Sequence, residues 1–245
     1  YATAWSYGIE ETLNMLVPNL NGGASSGELS KNSETYQILK QYYRNPDAII
    51  KQMPLYWGPQ PFTAGPMYMG AITIFLFILG LFVIKDRTKW WIIAVSTIAL
   101  LLSWGSHFMW FSELFFKFAP LYNKFRTVSM ILVILQITLP LLGIVALDKI
   151  LNASEQQRKA LEKSLLKATG ITAGICLVLA LFPGIIGDFA SASDSMFGND
   201  RELVEALRAD RRGLLRSDAF TSMIFILIAA AAIFFHLKGS LKKGW

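Results

Sequence analysis

Cysteine, histidine and charge are all scarce in this chain. Its 245 residues include one cysteine, Cys176, and two histidines, which excludes a disulfide framework and a Cys/His zinc site. Charged residues make up only 16% of the chain, whereas a soluble domain carries about a quarter. Together with a mean hydropathy of +0.43, this deficit indicates a membrane protein.

The first residues of the sequence do not resemble a signal peptide. Tyr1 rather than Met opens the sequence, and no basic stretch followed by a short apolar run comes after it, so no signal peptide is predicted. We therefore expect these residues to be a segment of a longer protein.

Five long stretches contain no Asp, Glu, Lys or Arg. A helix needs about 20 residues to cross the hydrocarbon layer of a membrane. The apolar residues lie on all sides of each predicted helix, as lipid or a large buried bundle requires. The predicted fold is therefore all-α, a polytopic transmembrane helix bundle whose extracytoplasmic loops contain short helices. The spans lie near residues 66–84, 90–107, 127–147, 168–186 and 219–237.

Lys and Arg are distributed unevenly between the two sides of this bundle. The loops 85–89 and 148–167 and the segment after residue 237 carry 11 of the 23 Lys and Arg residues. By the positive-inside rule this side is cytoplasmic. Residues 1–65 are then an extracytoplasmic loop segment, residues 66–245 the five-span region, and the C-terminus is cytoplasmic. The charge of +6 follows topology, so the predicted partner is the lipid bilayer and not nucleic acid.

Three outer segments contain predicted short helices. One runs from Ser33 as N-cap to Arg44. The aromatic segment 105–126 is typical of an amphipathic helix that lies along the membrane interface. The segment 187–218 is interpreted as a flexible Ser/Asp/Gly stretch followed by a short helix that starts near Asp200.

The most unusual string is WGPQPFTAGP at residues 57–66. Its three prolines and two glycines favour an extended backbone, with helix beginning at Pro66. It is interpreted either as a rigid lead-in with interfacial aromatic anchors or as the wall of a substrate cavity that includes Trp57, Gln60 and Thr63. The first interpretation has about twice the weight of the second.

A second group of candidates precedes the third span. Lys124 and Arg126 can bind the phosphate of a lipid headgroup or of a lipid-linked sugar. Alternatively they anchor the helix by snorkelling. The two interpretations have about equal weight. Tyr122, beside them, and His107, at the outer end of the second span, are further candidates for the substrate cavity.

The remaining polar positions favour structural roles. Glu10 and Glu11 are adjacent, so they are interpreted as a solvated face rather than a catalytic pair. His107 and His236 lie at opposite ends of spans and cannot share a metal. Mid-span Gln136 predicts an interhelical hydrogen bond. The GxxxG pair Gly170 and Gly174 predicts close helix packing.

Five strings resemble the YfhO family of bacterial polytopic membrane proteins. They are SYGIEETLNMLVPNLNGG, YWGPQPFTAGPMYMGAI, SWGSHFMWF, PLYNKFRTVSMILV and ADRRGLLRSDAF. That family is similar to GT-C glycosyltransferases, which transfer sugars from polyprenyl-phosphate donors outside the membrane. The resemblance implies a bacterial inner-membrane protein that modifies a cell-surface polymer or protein, with Lys124 and Arg126 on the lipid phosphate.

The resemblance also limits what this segment is expected to contain. In such enzymes the catalytic acid lies in an earlier extracytoplasmic loop, so no catalytic residue, metal ligand or cofactor is predicted here. A divalent metal in the complete protein is compatible with the family. Two other functions stay open: a transporter or flippase of a lipid-linked envelope precursor, and a membrane scaffold without chemistry. The spans contain no Asp, Glu, Lys or Arg, and His107 and His236 lie at span ends, which weakens an ion-coupled pump.

Overall fold

The computed structural model describes residues 3–120, 122–124, 127–198 and 200–240. Within these ranges all regular structure is helical, and β contact is limited to an isolated bridge between Gly27 and Met53. The predicted all-α class is confirmed. The α-helices are α1 (Glu34–Tyr42), α2 (Pro46–Ile49), α3 (Ala71–Val83), α4 (Thr88–Ser103), α5 (Met109–Phe118), α6 (Val133–Leu151), α7 (Glu155–Leu181) and α8 (Arg201–Leu237).

Three helices are long and apolar enough to cross a membrane. They are the helical run Val128–Leu151, which contains α6, together with α7 and α8. Helix α4 and the run Gly105–Phe118 make a fourth crossing only if they count as one span, because they are bent by 111°. Helix α3 has 13 residues, about 20 Å, which is shorter than the roughly 30 Å hydrocarbon core. By this measure the described residues provide three or four crossings rather than the five predicted.

The first apolar helix begins later than predicted. Pro66 lies in irregular backbone, and α3 starts at Ala71. Gly70 precedes it with φ of 100°, a left-handed conformation that side-chain-bearing residues rarely adopt. The sequence favoured Pro66 as the first helical residue, but Gly70 sets the boundary.

Two other spans are parts of longer helices. Helix α7 begins at Glu155, where Ser154 and Gln157 form a capping box, and continues into the fourth predicted span. The side chain of Asp200 accepts a hydrogen bond from the Leu203 amide and caps α8. The predicted short helix near Asp200 and the fifth span are therefore one continuous helix of 37 residues.

Helices α3 and α6 pack closely through glycine. A Cβ added at Gly80 would lie 2.8 Å from Leu142 of α6, and one at Gly143 would be equally crowded by α3. A Cβ added at Gly170 or Gly174 would meet nothing within 4 Å. The prediction that Gly170 and Gly174 mediate helix packing is wrong within the described structure, because they face away from the neighbouring helices.

Part of the N-terminal segment is inserted into the bundle. Leu16, Val17 and Leu20 are at most 4% exposed and share a core with α3, α6, α7 and α8. The Ser222 hydroxyl of α8 donates to the Leu16 carbonyl at 2.9 Å. The first third of residues 1–65 therefore contributes to the helical core.

A smaller layer covers the first half of α8. Helix α1 begins after Ser33, whose side chain accepts from the Tyr36 amide at 3.1 Å, which confirms the predicted N-cap. Its buried residues join a second core with the segment around residue 53 and with α8. That core consists of Leu29, Leu39, Ile50, Met53, Leu55, Leu203 and Leu207.

Candidate functional site

A polar cavity of about 60 Å³ lies where the N-terminal segment meets residues 56–67 and the start of the Val128–Leu151 run. The short 3-10 helix Glu10–Met15 forms one wall. The opposite wall comes from the proline- and glycine-rich string at residues 57–66. Its polar lining includes Tyr7, Glu11, Asn14, Asn21, Tyr56 and Gln60.

The carboxylate of Glu11 is the chemical centre of this cavity. Glu11 is 1% exposed and accepts hydrogen bonds from three directions. The Tyr56 hydroxyl donates to Oε1 at 2.7 Å, and the Gly8 amide donates to Oε2 at 2.6 Å. The side-chain amide of Gln60 reaches both oxygens, at 3.2 and 3.0 Å. Every one of these donors is electrically neutral.

The charge of Glu11 has no cationic partner in the cavity. Among the described residues that line it, none is Lys, Arg or His. Burial raises the pKa of Glu11 above its usual range, although the bonds from Gly8, Tyr56 and Gln60 oppose the shift. Burial and the nearby carboxylate also raise the pKa of Tyr7 and of Tyr56, so both hydroxyls remain protonated donors. Glu11 is thus able to exchange a proton closer to neutral pH than an exposed glutamate.

The cavity also contains a donor without a protein partner. Asn14 and Asn21 bind each other. Asn14 Nδ2 donates to Asn21 Oδ1, and the backbone N–H of Asn21 donates to Asn14 Oδ1, both at 3.3 Å. Asn21 Nδ2 is buried and has no partner among the described residues. A cavity of this size has room for a few water molecules, which would satisfy such a donor.

Backbone contacts with the helical bundle position the wall that contains Glu11. The Tyr7 amide donates to the Ser103 carbonyl at the end of α4, at 2.8 Å. The indole of Trp104 donates to the Thr12 hydroxyl at 3.1 Å. These bonds on both sides of Glu11 fix the 3-10 helix against the end of α4.

An apolar cavity of about 320 Å³ lies on the other side of the same 3-10 helix. Thr12, Leu13 and Met15 contribute to its wall, and α3, α4, α6 and α7 supply the remainder. Within it, the Ser96 hydroxyl of α4 donates to the Thr138 hydroxyl of α6 at 2.8 Å, so this polar pair is satisfied. A single short helix therefore separates a polar cavity from a larger apolar one.

A second buried carboxylate, Asp194, has cationic partners. Arg211 of α8 is fully buried and donates to Asp194 Oδ1 at 2.8 Å. Arg208 donates to Asp194 Oδ2 at 3.1 Å. Arg211 also donates to the Phe189 carbonyl at 2.8 Å and to the Pro54 carbonyl. The predicted flexible stretch before α8 is thus attached to α8 and to the segment that precedes Trp57.

The string at residues 57–66 divides between the two predicted roles. Gln60 and Thr63 line the polar cavity. Trp57 does not, because its ring packs on Phe189 with centroids 5.0 Å apart. Its indole nitrogen is buried and has no partner among the described residues. The structure therefore brings Gln60 and Thr63 to Glu11 and gives Trp57 a packing position.

The other predicted site residues lie elsewhere. Tyr122 lines a separate apolar cavity of about 400 Å³. His107 is exposed, with Nδ1 3.2 Å from the Trp104 carbonyl oxygen, and lines neither the polar nor the 320 Å³ cavity. Lys124 is exposed and also lies outside these two linings. Arg126 lies outside the described residues, so its predicted phosphate contact stays a prediction.

In the described part of the chain, Gln136 makes no close interhelical hydrogen bond. It is exposed, and its amide reaches only the Met67 sulfur at 3.9 Å. The buried interhelical bond that the sequence predicted at this depth is instead made by Ser96 and Thr138.

Sequence reasoning missed Glu11. The solvated interpretation is right for Glu10, which is exposed, and wrong for Glu11. The available signal was the group of apolar residues Leu13, Leu16 and Val17, which pack into the bundle and bring the preceding turn with them. Within the described part of the chain, no three His, Cys, Asp or Glu residues are grouped so that they could hold a metal ion.

Comparison with protein-family models, curated protein sequences and solved structures finds no significant match. The helices alone therefore define the class: the chain is an all-α polytopic membrane protein. What it does has to be argued from the two cavities and from the resemblance in its motifs.

Proposed function

We propose that this chain supplies the substrate site of a membrane-embedded, glycosyltransferase-like protein. The substrate is a polyprenyl-phosphate-linked sugar, and the acceptor belongs to the cell envelope. We assign the acid–base role to Glu11, which departs from the resembled enzymes, whose catalytic acid lies in an earlier extracytoplasmic loop. The polar cavity takes the reacting sugar region, and the apolar cavity takes the first isoprene units.

The position of the 3-10 helix Glu10–Met15 is the observation that carries this proposal. Its Glu11 and Asn14 line the polar cavity, whereas Leu13 and Met15 line the apolar one. An amphiphilic molecule that lies across this helix would place its polar and apolar parts in matching surroundings. The motifs that resemble the YfhO family, including the string at residues 57–66, indicate which amphiphile to expect, namely a polyprenyl-phosphate-linked sugar.

The reaction is an inverting displacement at the anomeric carbon. An acceptor hydroxyl forms a bond to that carbon while the bond from carbon to the phosphate oxygen breaks, and the electron pair leaves with polyprenyl phosphate. The acceptor proton passes to the Glu11 carboxylate. A raised pKa suits Glu11 to this role, because a general base works best when its pKa lies near the working pH.

The cavity has to open before a sugar can enter. A volume of about 60 Å³ accommodates a few waters but not a hexose. Gln60 and Thr63 lie on its wall in irregular backbone, and Gln60 binds Glu11 directly. The proposal therefore requires the string at residues 57–66 to move away from Glu11 when substrate binds.

The leaving phosphate needs cationic partners, and none of the described residues that line the Glu11 cavity is Lys, Arg or His. We keep Lys124 and Arg126 for this role, which requires exposed Lys124, now outside the linings of both cavities, to approach the phosphate when substrate binds. Arg presents a planar fork that matches two phosphate oxygens, so Arg126→Lys should weaken the affinity for a polyprenyl-phosphate analogue about tenfold or more. Equal affinity in wild type, Arg126→Lys and Lys124→Gln, with equal thermal stability, would remove the two residues from the phosphate site.

The decisive variant is Glu11→Gln in the full-length protein. It keeps the size of the side chain and removes the base, so turnover of polyprenyl-phosphate hexoses should fall about 100- to 10,000-fold. Glu10→Gln is the matched control, because Glu10 is adjacent in sequence but exposed. Equal turnover in all three proteins would exclude Glu11 as the base.

A photoreactive donor analogue tests binding separately from chemistry. A diazirine on the first isoprene unit should label Leu100, Leu139 or Ile175, which line the apolar cavity. Labelling only of outward-facing residues such as Ile137 would place the lipid chain elsewhere. Labelling of the cavity without any turnover in the full-length protein would favour transport of a lipid-linked precursor over transfer.

The orientation in the bacterial inner membrane is part of this proposal. It rests on the distribution of Lys and Arg and predicts that the Glu11 cavity faces the extracytoplasmic side. A cysteine at exposed Ser26 should react with an impermeant reagent in intact cells, and one at exposed Ser154 should not. The native Cys176 is buried and gives little background. Labelling at Ser154 from outside would reverse the orientation.

A further inference from the structure

Another cavity, of about 200 Å³, lies at the other end of the bundle from Glu11. Its walls are the end of α3 at Phe82 and Val83, and the first turns of α7 at Leu161. Lys85, just after α3, and Lys149, near the end of α6, complete it. The cavity thus joins three helices where the apolar part of the bundle ends.

The charged residues in this lining are both positive. Lys85 and Lys149 are accompanied by the amide of Gln157 and the hydroxyl of Ser164, and no acid is among the described lining residues. A molecule in this cavity would therefore meet two cations and two neutral polar groups.

Two acids on the neighbouring helices are bound to other groups. Glu162 receives a hydrogen bond from Lys238 at 2.9 Å. The Asp148 carboxylate receives one from the Asn152 amide, also at 2.9 Å. A third lysine, Lys89, donates to the Leu81 carbonyl at the end of α3. Among the described residues, Lys85 and Lys149 form no ion pair, so their positive charge is available to a ligand.

We propose that this cavity binds the phosphate headgroup of an anionic phospholipid. Two lysines and a hydroxyl match a phosphate, and the exposed ring of Phe82 beside buried Val83 and Leu161 gives the acyl chains an apolar surface. Basic cavities between transmembrane helices are a recurring binding site for acidic lipid headgroups. The site does not depend on the glycosyltransferase proposal, because it involves none of the same residues.

The test is lipid binding to the detergent-purified full chain, followed by native mass spectrometry. Phosphatidylglycerol should bind more tightly than phosphatidylcholine. The double variant Lys85→Gln and Lys149→Gln should weaken phosphatidylglycerol binding roughly 20- to 30-fold, about fivefold for each lysine. Replacing the same two residues with Arg should retain binding, because the positive charge is kept, and an unchanged unfolding temperature of the Gln double variant shows that it folds.

The matched control is Lys159→Gln with Lys167→Gln. Both lysines are exposed on α7 and lie outside the lining, so the loss of net charge is identical. Little change is expected. Equal weakening in the two double variants would show that the lipid responds only to overall charge and would overturn the site. Binding of inorganic phosphate as tightly as the lipid would also overturn it, because the apolar walls would then contribute nothing.

Discussion

Glu11 and Asp194 are both buried carboxylates, and they differ in the charge of their partners. Asp194 lies between Arg211 and Arg208, at 2.8 and 3.1 Å. Among the described residues, Glu11 accepts hydrogen bonds only from neutral groups, and the side-chain amide of Asn21 in the same cavity has no partner. Within this part of the chain, Asp194 is electrically compensated and Glu11 is not.

This difference assigns the two acids different roles. A compensated buried ion pair connects segments of chain, here the residues around Phe189 and Pro54 with α8. A buried carboxylate without a cation costs stability and titrates abnormally, and such groups are concentrated at functional sites. A chain of hydrogen bonds links the two acids. The Tyr56 hydroxyl donates to Glu11, and the Tyr56 carbonyl accepts from the Ser191 hydroxyl at 3.0 Å. The Ser191 amide in turn donates to Asp194.

The largest effect on stability is expected from Arg211→Met. Asp194 would keep only Arg208, and the carbonyls of Phe189 and Pro54 would lose a charged donor. Removing one partner of a buried ion pair costs roughly 3 to 5 kcal/mol of the free energy of unfolding. Thermal unfolding in detergent at constant pH measures the loss.

Arg208→Met is the control for that variant. The Arg208 side chain is 35% exposed, so its ion pair is partly screened and its loss should cost about 1 kcal/mol or less. Similar losses for Arg208 and Arg211 would contradict the assignment of Arg211 as the main structural partner of Asp194.

A smaller effect is expected when Glu11 is shortened. Glu11→Ala leaves the Tyr56 hydroxyl, the Gly8 amide and the Gln60 amide without their acceptor, at a cost of about 1 to 3 kcal/mol. Glu11→Gln should cost less than about 1 kcal/mol, because the Tyr56 hydroxyl and the Gln60 carbonyl can each accept from the new amide. Unfolding midpoints of the two variants at one pH give this comparison.

The pH dependence of stability should reveal the raised pKa of Glu11. Because burial raises its pKa in the folded state, Glu11 keeps its proton there after the unfolded chain has lost it. The contribution to stability is therefore complete below the ordinary pKa of about 4.3 and is lost as the pH rises through the folded pKa. The unfolding midpoint of wild type should fall across this window more than that of Glu11→Gln. Identical slopes would contradict the raised pKa.

The smallest effect on the pH dependence is expected at the contact between the two clusters. Ser191→Ala removes the hydrogen bond to the Tyr56 carbonyl, worth about 0.5 to 1.5 kcal/mol, and the longer bond that the Ser191 hydroxyl accepts from the Ser193 amide at 3.3 Å. If the two acids act separately, the pH dependence that Glu11 causes should be unchanged in this variant. A changed pH dependence would show that the two clusters are coupled.

Local signals in the sequence predicted much of the fold. The lack of charge over long stretches located the apolar helices, and Ser33 marked the start of α1 correctly. Ser154 and Asp200 also cap helices, but the length of α7 and α8 was not predicted. Each of these helices begins with many charged residues and ends with an apolar stretch, so its two halves were predicted as separate segments. The orientation in the membrane stays a prediction.

Features that depend on contacts distant in sequence could not be predicted. The GxxxG spacing at Gly170 and Gly174 is a local pattern, yet the glycines that pack are Gly80 and Gly143, which come together only when α3 meets α6. In the sequence Glu11 resembles an exposed acid, and it is buried because Leu16 and its neighbours pack into the bundle. The candidate site was therefore predicted in part, through Gln60 and Thr63, and its carboxylate was not.

The most direct test of the account is an infrared titration of the full-length protein. The protonated-carboxyl stretching band reports acids that still hold a proton as the pH rises. We expect Glu11→Gln to remove a component of this band that persists above the pH range in which ordinary carboxyl groups lose their proton. We expect Glu10→Gln to leave that component in place. A titration unchanged by Glu11→Gln would contradict the claim that Glu11 is a buried, uncompensated acid able to take up the acceptor proton.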